Sequence, residues 1–252
     1  MVIKRSILIA TVFSASCFAA SGSKYPLLDA NVDISKTTSL QRGATAFFNY
    51  CSGCHSLQYM RYNRIAEDLE LEESLVKTNF MHVGDKIGNT VQVAMKSEDA
   101  KSWFGVKPPD LSVIARVRGE DWLYSFLNGF YTEPGRPTGV NNLYFSQTSM
   151  PHVLWELQGY KKLILQEDEK TTQSAKQNEG SSEPPYLTTV VSGKMTESEY
   201  REFTRDIVSF LVYVGEPARL VRYKLGFWVI AFLFVLFIFA YLNKKAIWED
   251  IK

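Results

Sequence analysis

Hydrophobic and polar positions divide the chain into two continuous apolar runs at its ends and a patterned body between them. One run, Ser6 to Ala20, follows Lys4 and Arg5; the other, Leu225 to Leu242, contains no charge. Between them, Leu40–Tyr50 has a helical period, with Gly43 and Phe47 on one face. Ser39 stands where it can cap that helix. Glycine in mid-helix is less favourable than alanine by about 1 kcal/mol, so Gly43 predicts the close approach of another helix. Leu57 to Glu73 reads as partly helical, and a short apolar helix is expected around Val91 to Met95. Pro108 and Pro109 hold the next stretch extended, and Asp110 or Ser112 is placed to cap the helix that follows. Glu120 to Asn128 is a further helix ended by Gly129. Thr196 and Glu199 form a capping box that opens a helix to about Val214, with Tyr200, Phe203, Ile207, Phe210, Leu211 and Val214 on its apolar face. Thr132 to Ser149 is turn-rich, the kind of long irregular segment that usually serves function. The polar stretch 166–185 reads as a surface loop, and Tyr25 to Lys36 as an extended leading arm.

The two ends place the chain in a compartment. A charged start followed by a short apolar, small-residue run is a secretory signal peptide, assigned to residues 1–21. The eighteen residues from Leu225 make a helix of roughly 27 Å, close to the thickness of a bilayer core. Trp228 and Tyr241 stand near its edges. The segment 224–243 is therefore read as a single transmembrane anchor, with 22–223 exported and 244–252 inside. Removing both ends takes six of the 28 Lys and Arg and two of the 27 Asp and Glu, leaving the exported body at −3. Neither total suggests nucleic-acid binding. Glu67, Asp68, Glu70, Glu72 and Glu73 are locally dense and read first as a solvated face.

The candidate chemistry lies in Cys51-Ser52-Gly53-Cys54-His55, the C-x-x-C-H attachment signature of a c-type haem. Two thiols two residues apart can reach one porphyrin edge as thioethers, and the adjacent histidine is placed to bind the iron. The only other cysteine, Cys17, lies in the signal peptide, so neither a four-ligand zinc site nor a structural disulfide is supported. The second axial ligand is open to Met60, Met81, Met95, Met150, Met195, His82 and His152, or the site is unliganded there. Met60 is close to His55 in sequence, Met195 precedes a helix, and Met81 and Met95 suit a core. Met150 ends the turn-rich loop and precedes Pro151, which restricts its backbone.

Several separated motifs resemble the cytochrome c1 family, closest to its bacterial branch. They are Arg42-Gly43, Cys51 to Leu57, Tyr59-Met60-Arg61-Tyr62, Pro108 to Ser112, Arg116-x-Arg118-Gly119-Glu120-Asp121, Arg136-Pro137-Thr138-Gly139, Met150 to Leu157, and Phe210 to Pro217 before a single anchor. The resemblance runs from about Asn31 to Lys245. It implies a mostly α, class I c-type cytochrome fold with long irregular loops, plus one C-terminal transmembrane helix. It implies one covalently attached haem c, with Met150 as sixth ligand, Arg118 paired with a propionate, and a carbonyl of Pro108 or Pro109 accepting the His55 Nδ1–H.

The function so implied is electron transfer in the cytochrome bc1 complex, from the Rieske iron–sulfur protein to a soluble or membrane-bound c-type cytochrome. Partners would be cytochrome b, the Rieske protein, that acceptor and membrane lipid, in a dimeric complex without nucleic acid. The location would be the cell inner membrane, with the haem domain periplasmic. Quinol oxidation itself would lie in other subunits. The rival readings are a c-type subunit of a terminal oxidase or nitric oxide reductase, and a haem enzyme or sensor with an open distal site.

Overall fold

The computed structural model describes residues 25–164 and 187–249, so the expected signal peptide, Cys17 and the polar stretch 166–185 lie outside the described residues. The elements in chain order are α1 (Thr37–Tyr50), β1 (Leu57–Arg61), α2 (Tyr62–Asp68), α3 (Glu73–Asn79), β2 (Thr90–Val91), α4 (Ser97–Phe104), α5 (Ile114–Arg118) and α6 (Glu120–Asn128). They continue with β3 (Phe130–Thr132), β4 (Val140–Asn142), α7 (Trp155–Gln158), β5 (Gly159–Leu163), β6 (Leu187–Ser192), α8 (Glu197–Gly215) and α9 (Arg219–Glu249). The described residues are mainly helical, and their strands form only short antiparallel pairs, β1 with β2, β3 with β4 and β5 with β6. The expected mostly α fold is what the chain adopts.

The core forms where α1 crosses α8. Gly43 is required there: a β-carbon on it would collide with the carbonyl oxygen of Asp206 and the side chain of Phe210. The bare backbone of α1 therefore rests on α8. One turn on, Phe47 packs on Phe210 with ring centroids 5.6 Å apart, and Phe48 stacks on Phe80 at 4.4 Å. Both α1 phenylalanines are buried, and each such burial contributes about 1.5–3 kcal/mol before entropy is counted. Asp206 is also buried and satisfied across the crossing. It accepts from Ser39 Oγ at 2.5 Å and from Arg42 Nε at 2.6 Å.

Ser39 is thus not the cap expected of it. The helix begins at Thr37, three residues before the expected start, and Ser39 spends its hydroxyl on a tertiary partner. The capping box on α8 is formed as expected: Thr196 Oγ1 accepts from Glu199 N, and Glu199 accepts from Thr196 N. Helix α6 also has the expected bounds. It starts after Gly119, whose φ of 88° lies in the left-handed region that favours glycine.

Leu57 to Glu73 is partly helical as expected: Leu57–Arg61 is a strand paired with Thr90–Val91, and the chain turns helical at Tyr62. Two local expectations are corrected. Val91–Met95 forms no helix; the helix comes later, at Ser97–Phe104, where Glu98 and Asp99 complement its N-terminal dipole. Neither Asp110 nor Ser112 caps α5, since both side chains bond to the segment after the cysteine motif.

The leading arm is tied to α6 and α8. Leu28 N donates to Ser125 Oγ, Ala30 N donates to Asp121 Oδ1, and Arg205 Nε donates to the Ala30 carbonyl. The polar stretch 166–185 is flanked by β5 and β6, which pair from Gly159–Ser192 to Leu163–Leu187. Helix α9 is longer than the apolar run within it. Within Val221–Glu249 the most apolar 18-residue window has a mean hydropathy of 2.6 and none of it is buried, which fits a single-pass membrane anchor.

Candidate haem site

The cysteine motif continues the last turn of α1. Cys51 N and Ser52 N both donate to the Phe47 carbonyl, and Cys54 N and His55 N both donate to the Cys51 carbonyl. Ser52 Oγ donates to the Phe48 carbonyl at 2.7 Å. The motif is therefore fastened to the α1–α8 crossing. Cys51 and Cys54 are free thiols and half-buried. Burial pushes the Cys51 thiol up to about 12, with Cys54 beside it adding to the effect; burial also raises Cys54. Reactive dithiols need the opposite environment, one that stabilises the thiolate.

His55 Nδ1 lies 2.8 Å from the Pro109 carbonyl oxygen. A carbonyl can only accept, so Nδ1 carries the proton and Nε2 keeps its lone pair for a metal. Burial lowers the His55 pKa against the opposing influence of Pro109 and Asp110, favouring the neutral imidazole that ligates iron. A second set of bonds holds Pro109 in place. Leu111 N donates to the Ser56 carbonyl at 2.9 Å. Asp110 Oδ2 accepts from Ser56 Oγ and from Gln58 N, each at 2.8 Å. Ser112 Oγ accepts from Tyr59 N at 3.1 Å. Burial by itself would raise the Asp110 pKa, but hydrogen bonds from Ser112, Gln58 and Ser56 outweigh it and hold the carboxyl below its usual range.

Arg118, at the end of α5, is exposed and lies over the Trp122 ring at 4.8 Å and the Phe145 ring at 5.7 Å. Among the described residues no carboxylate is recorded in an ion pair with it. Phe145 belongs to the loop that leads to Met150, so that loop is brought against α5 and α6. Two buried asparagines organise it. Asn141 Oδ1 accepts from Asn142 N and Gln147 N; Asn142 Oδ1 accepts from Tyr144 N and Phe145 N; Asn142 Nδ2 donates to the Phe126 carbonyl. Met150 itself is half-buried, its N–H 3.3 Å from Thr148 Oγ1.

The profile of the Cytochrome C1 family matches residues 31–251. The chain belongs to the cytochrome c1 family. It is 42% identical to a cytochrome c1 of Allochromatium vinosum over 98% of this chain and 99% of that protein. It is 40% identical to a Nitrosomonas europaea protein named ammonia monooxygenase gamma subunit, over 97% of each chain. A mitochondrial cytochrome c1 of Schizosaccharomyces pombe is 26% identical over 85% of this chain and 67% of its own.

Cytochrome c1 proteins carry one covalently bound haem c and serve as the electron-transfer subunit of the cytochrome bc1 complex. The donor set fits that group: two free thiols flank a tight turn, and the adjoining imidazole has its Nδ1 engaged and its Nε2 available. The other sulfur and imidazole candidates are placed differently. Met60 is buried in the core, Met81 and Met195 pack against it, and Met95 shares a shallow cleft with Cys54 and Pro108. His82 places Nε2 3.3 Å from the Phe48 carbonyl. His152 is buried and stacked on Phe130; burial lowers its pKa to about 4, so it is neutral near pH 7.

Sequence reasoning missed Asn141, Asn142, Trp122 and Phe145 as supports of the site. An Asn-Asn pair in a Gly- and Pro-rich stretch signals a turn, and nothing local marks these two as buried in a strand.

Proposed function

We propose that this chain is the periplasmic electron relay of a cytochrome bc1 complex in the cell inner membrane, taking one electron from the Rieske iron–sulfur protein and passing it to a soluble or membrane-bound c-type cytochrome. The signal peptide, residues 1–21, directs export of 22–223, segment 224–243 crosses the bilayer, and 244–252 stays inside. Cytochrome b, the Rieske protein and lipid surround it in a dimeric complex. Cys51 and Cys54 would hold haem c as thioethers, His55 and Met150 would bind its iron, Arg118 would pair with a propionate, and the Pro109 carbonyl orients His55. The bond from His55 Nδ1 to Pro109 is the observation that carries this reading, because it leaves Nε2 as the ligating nitrogen.

Haem c bound in this way supplies reversible one-electron chemistry at iron. The protein's task is to hold that chemistry to a single electron and keep other reactants out. His55, fastened to both α1 and the Pro109 segment, fixes the proximal side. A Met150 thioether on the iron would exclude small molecules from it and raise its reduction potential. Arg118 lacks a carboxylate partner among the described residues, and its flat guanidinium suits a carboxylate acceptor.

Gentle solubilisation and pull-down test the assignment. Recovery with a b-type cytochrome and a Rieske protein is expected. The name of the Nitrosomonas relative supports a second reading, service to a monooxygenase; recovery with such an enzyme, or with a copper-containing oxidase, would displace the bc1 assignment. The oxidised protein should also show the weak red band of thioether bound to ferric haem, and Met150→Leu should abolish it. Ready binding of carbon monoxide by the wild type would instead indicate an open distal site.

A further inference from the structure

An aromatic column runs beside the Met150 loop. Trp122 and Phe126 stack with centroids 5.2 Å apart and planes 8° from parallel. Phe126 meets Phe130 edge-on at 5.1 Å. Trp122 and Phe126 are four apart on α6, the spacing that puts side chains in line along one helix face, and Phe130 follows at the start of β3. His152 caps one end, stacked flat on Phe130 at 4.8 Å and 5°. Phe145 leans on the other end, 6.1 Å from Trp122 and 6.4 Å from Phe126, beside the Arg118 guanidinium. Phe145 lies five residues before Met150 and His152 two residues after it.

Between these two rings the backbone is anchored at Gln147, whose N–H donates to Asn141 Oδ1, and at the Thr148 carbonyl, which accepts from Arg136 Nη2; the stretch from Ser149 to Pro151 has less. Met150 N makes one long bond, to Thr148 Oγ1 at 3.3 Å, and Pro151 has no N–H to give. The ring nitrogens of His152 face the Gly159 backbone and the Gln158 side chain without a bond of ordinary geometry. Its flat contact with Phe130 is therefore the better-formed interaction. A neutral thioether is a weak iron ligand, and its retention depends on how firmly its loop is seated.

We propose that Phe145 and His152 are positioning residues for Met150: docked on the two ends of the Trp122–Phe126–Phe130 column, they hold the loop at the depth where the thioether closes the distal side. This rests on the reading of Met150 as the sixth ligand.

The test uses the full-length, haem-loaded protein in its membrane complex, with the red thioether band and carbon monoxide affinity as readouts. His152→Ala and Phe145→Ala are expected to lose most of the band and to bind carbon monoxide roughly tenfold more tightly or better, the scale on which outer-shell partners usually act. His152→Phe keeps the flat stack and is expected to retain wild-type behaviour in both. Alanine variants with an undiminished band and no carbon monoxide binding would overturn the proposal. So would a His152→Phe protein that loses the band, because the ring nitrogens rather than the stack would then seat the loop. If His152→Ala does not accumulate, Phe145→Ala carries the test, since its ring is 43% exposed and its loss leaves a smaller cavity. Met150→Leu is the control. A band unchanged in that variant overturns the ligand reading itself, whatever the column does.

Discussion

Nδ1 of His55 lies 2.8 Å from the carbonyl oxygen of Pro109, a residue 54 positions further along the chain. The contact is held in place by Asp110, which bonds Ser56 and Gln58 on the His55 side. The His55 imidazole is thus oriented by a clasp between two extended segments rather than by a helix of its own.

Asp110→Asn should loosen that clasp. Hydrogen bonds to a charged acceptor contribute more than neutral ones, but Asp110 is only half-buried, so the loss at pH 7 should be about 1 kcal/mol in urea unfolding. The carboxyl is held below its usual range, so its contribution is complete above the unfolded pKa and falls away as pH drops through the folded one. The stability gap between wild type and variant should therefore narrow below about pH 4. A gap independent of pH would show that the charge is not involved.

Gly43→Ala should be costly although alanine is the better helix former. The added methyl meets the backbone of α8 at Asp206, which cannot move aside as a side-chain end would. Overpacking of this kind costs typically about 1–3 kcal/mol, read as a lower thermal midpoint. A midpoint at or above wild type would mean that the helices separate without penalty.

Asp206→Ala removes the acceptor shared by Ser39 and Arg42 at the same crossing. A loss of about 2–3 kcal/mol is expected, since a buried hydroxyl and a guanidinium both lose their partner. Arg42→Ala should cost at least as much, because it leaves the Asp206 carboxylate, 7% exposed, with the Ser39 hydroxyl as its remaining side-chain partner. A clearly smaller loss from Arg42→Ala would contradict this ordering.

Leu233→Arg puts a charge near the centre of the apolar stretch of α9. At about 2.5–3.5 kcal/mol for a central arginine, membrane insertion should fall, seen as a shift of protein from the carbonate-resistant membrane fraction. Undiminished retention there would argue against a spanning helix.

How much was legible in the sequence depended on how local each cause was. The capping box of Thr196 and Glu199 declared the start of α8 because both partners lie within one turn. Gly43 announced a close helix crossing because a glycine is unfavourable there without one. By contrast, Val91–Met95 has an apolar, helix-like composition, yet Thr90 and Val91 extend to pair with β1. Ser39 looked like a cap and proved to be a partner of Asp206, 167 residues away.

The chemistry and its setting are written in neighbouring residues: the thiols and imidazole of Cys51, Cys54 and His55 in one short run, and an apolar segment long enough to cross a bilayer. For both, spacing along the chain fixes what can be reached. How that chemistry is held depends on the folded core. It set the Pro109 carbonyl on His55, placed Asn141 and Asn142 inside the loop before Met150, and stacked His152 on Phe130. Those contacts join segments whose meeting depends on packing across the whole core, and no local pattern encodes it.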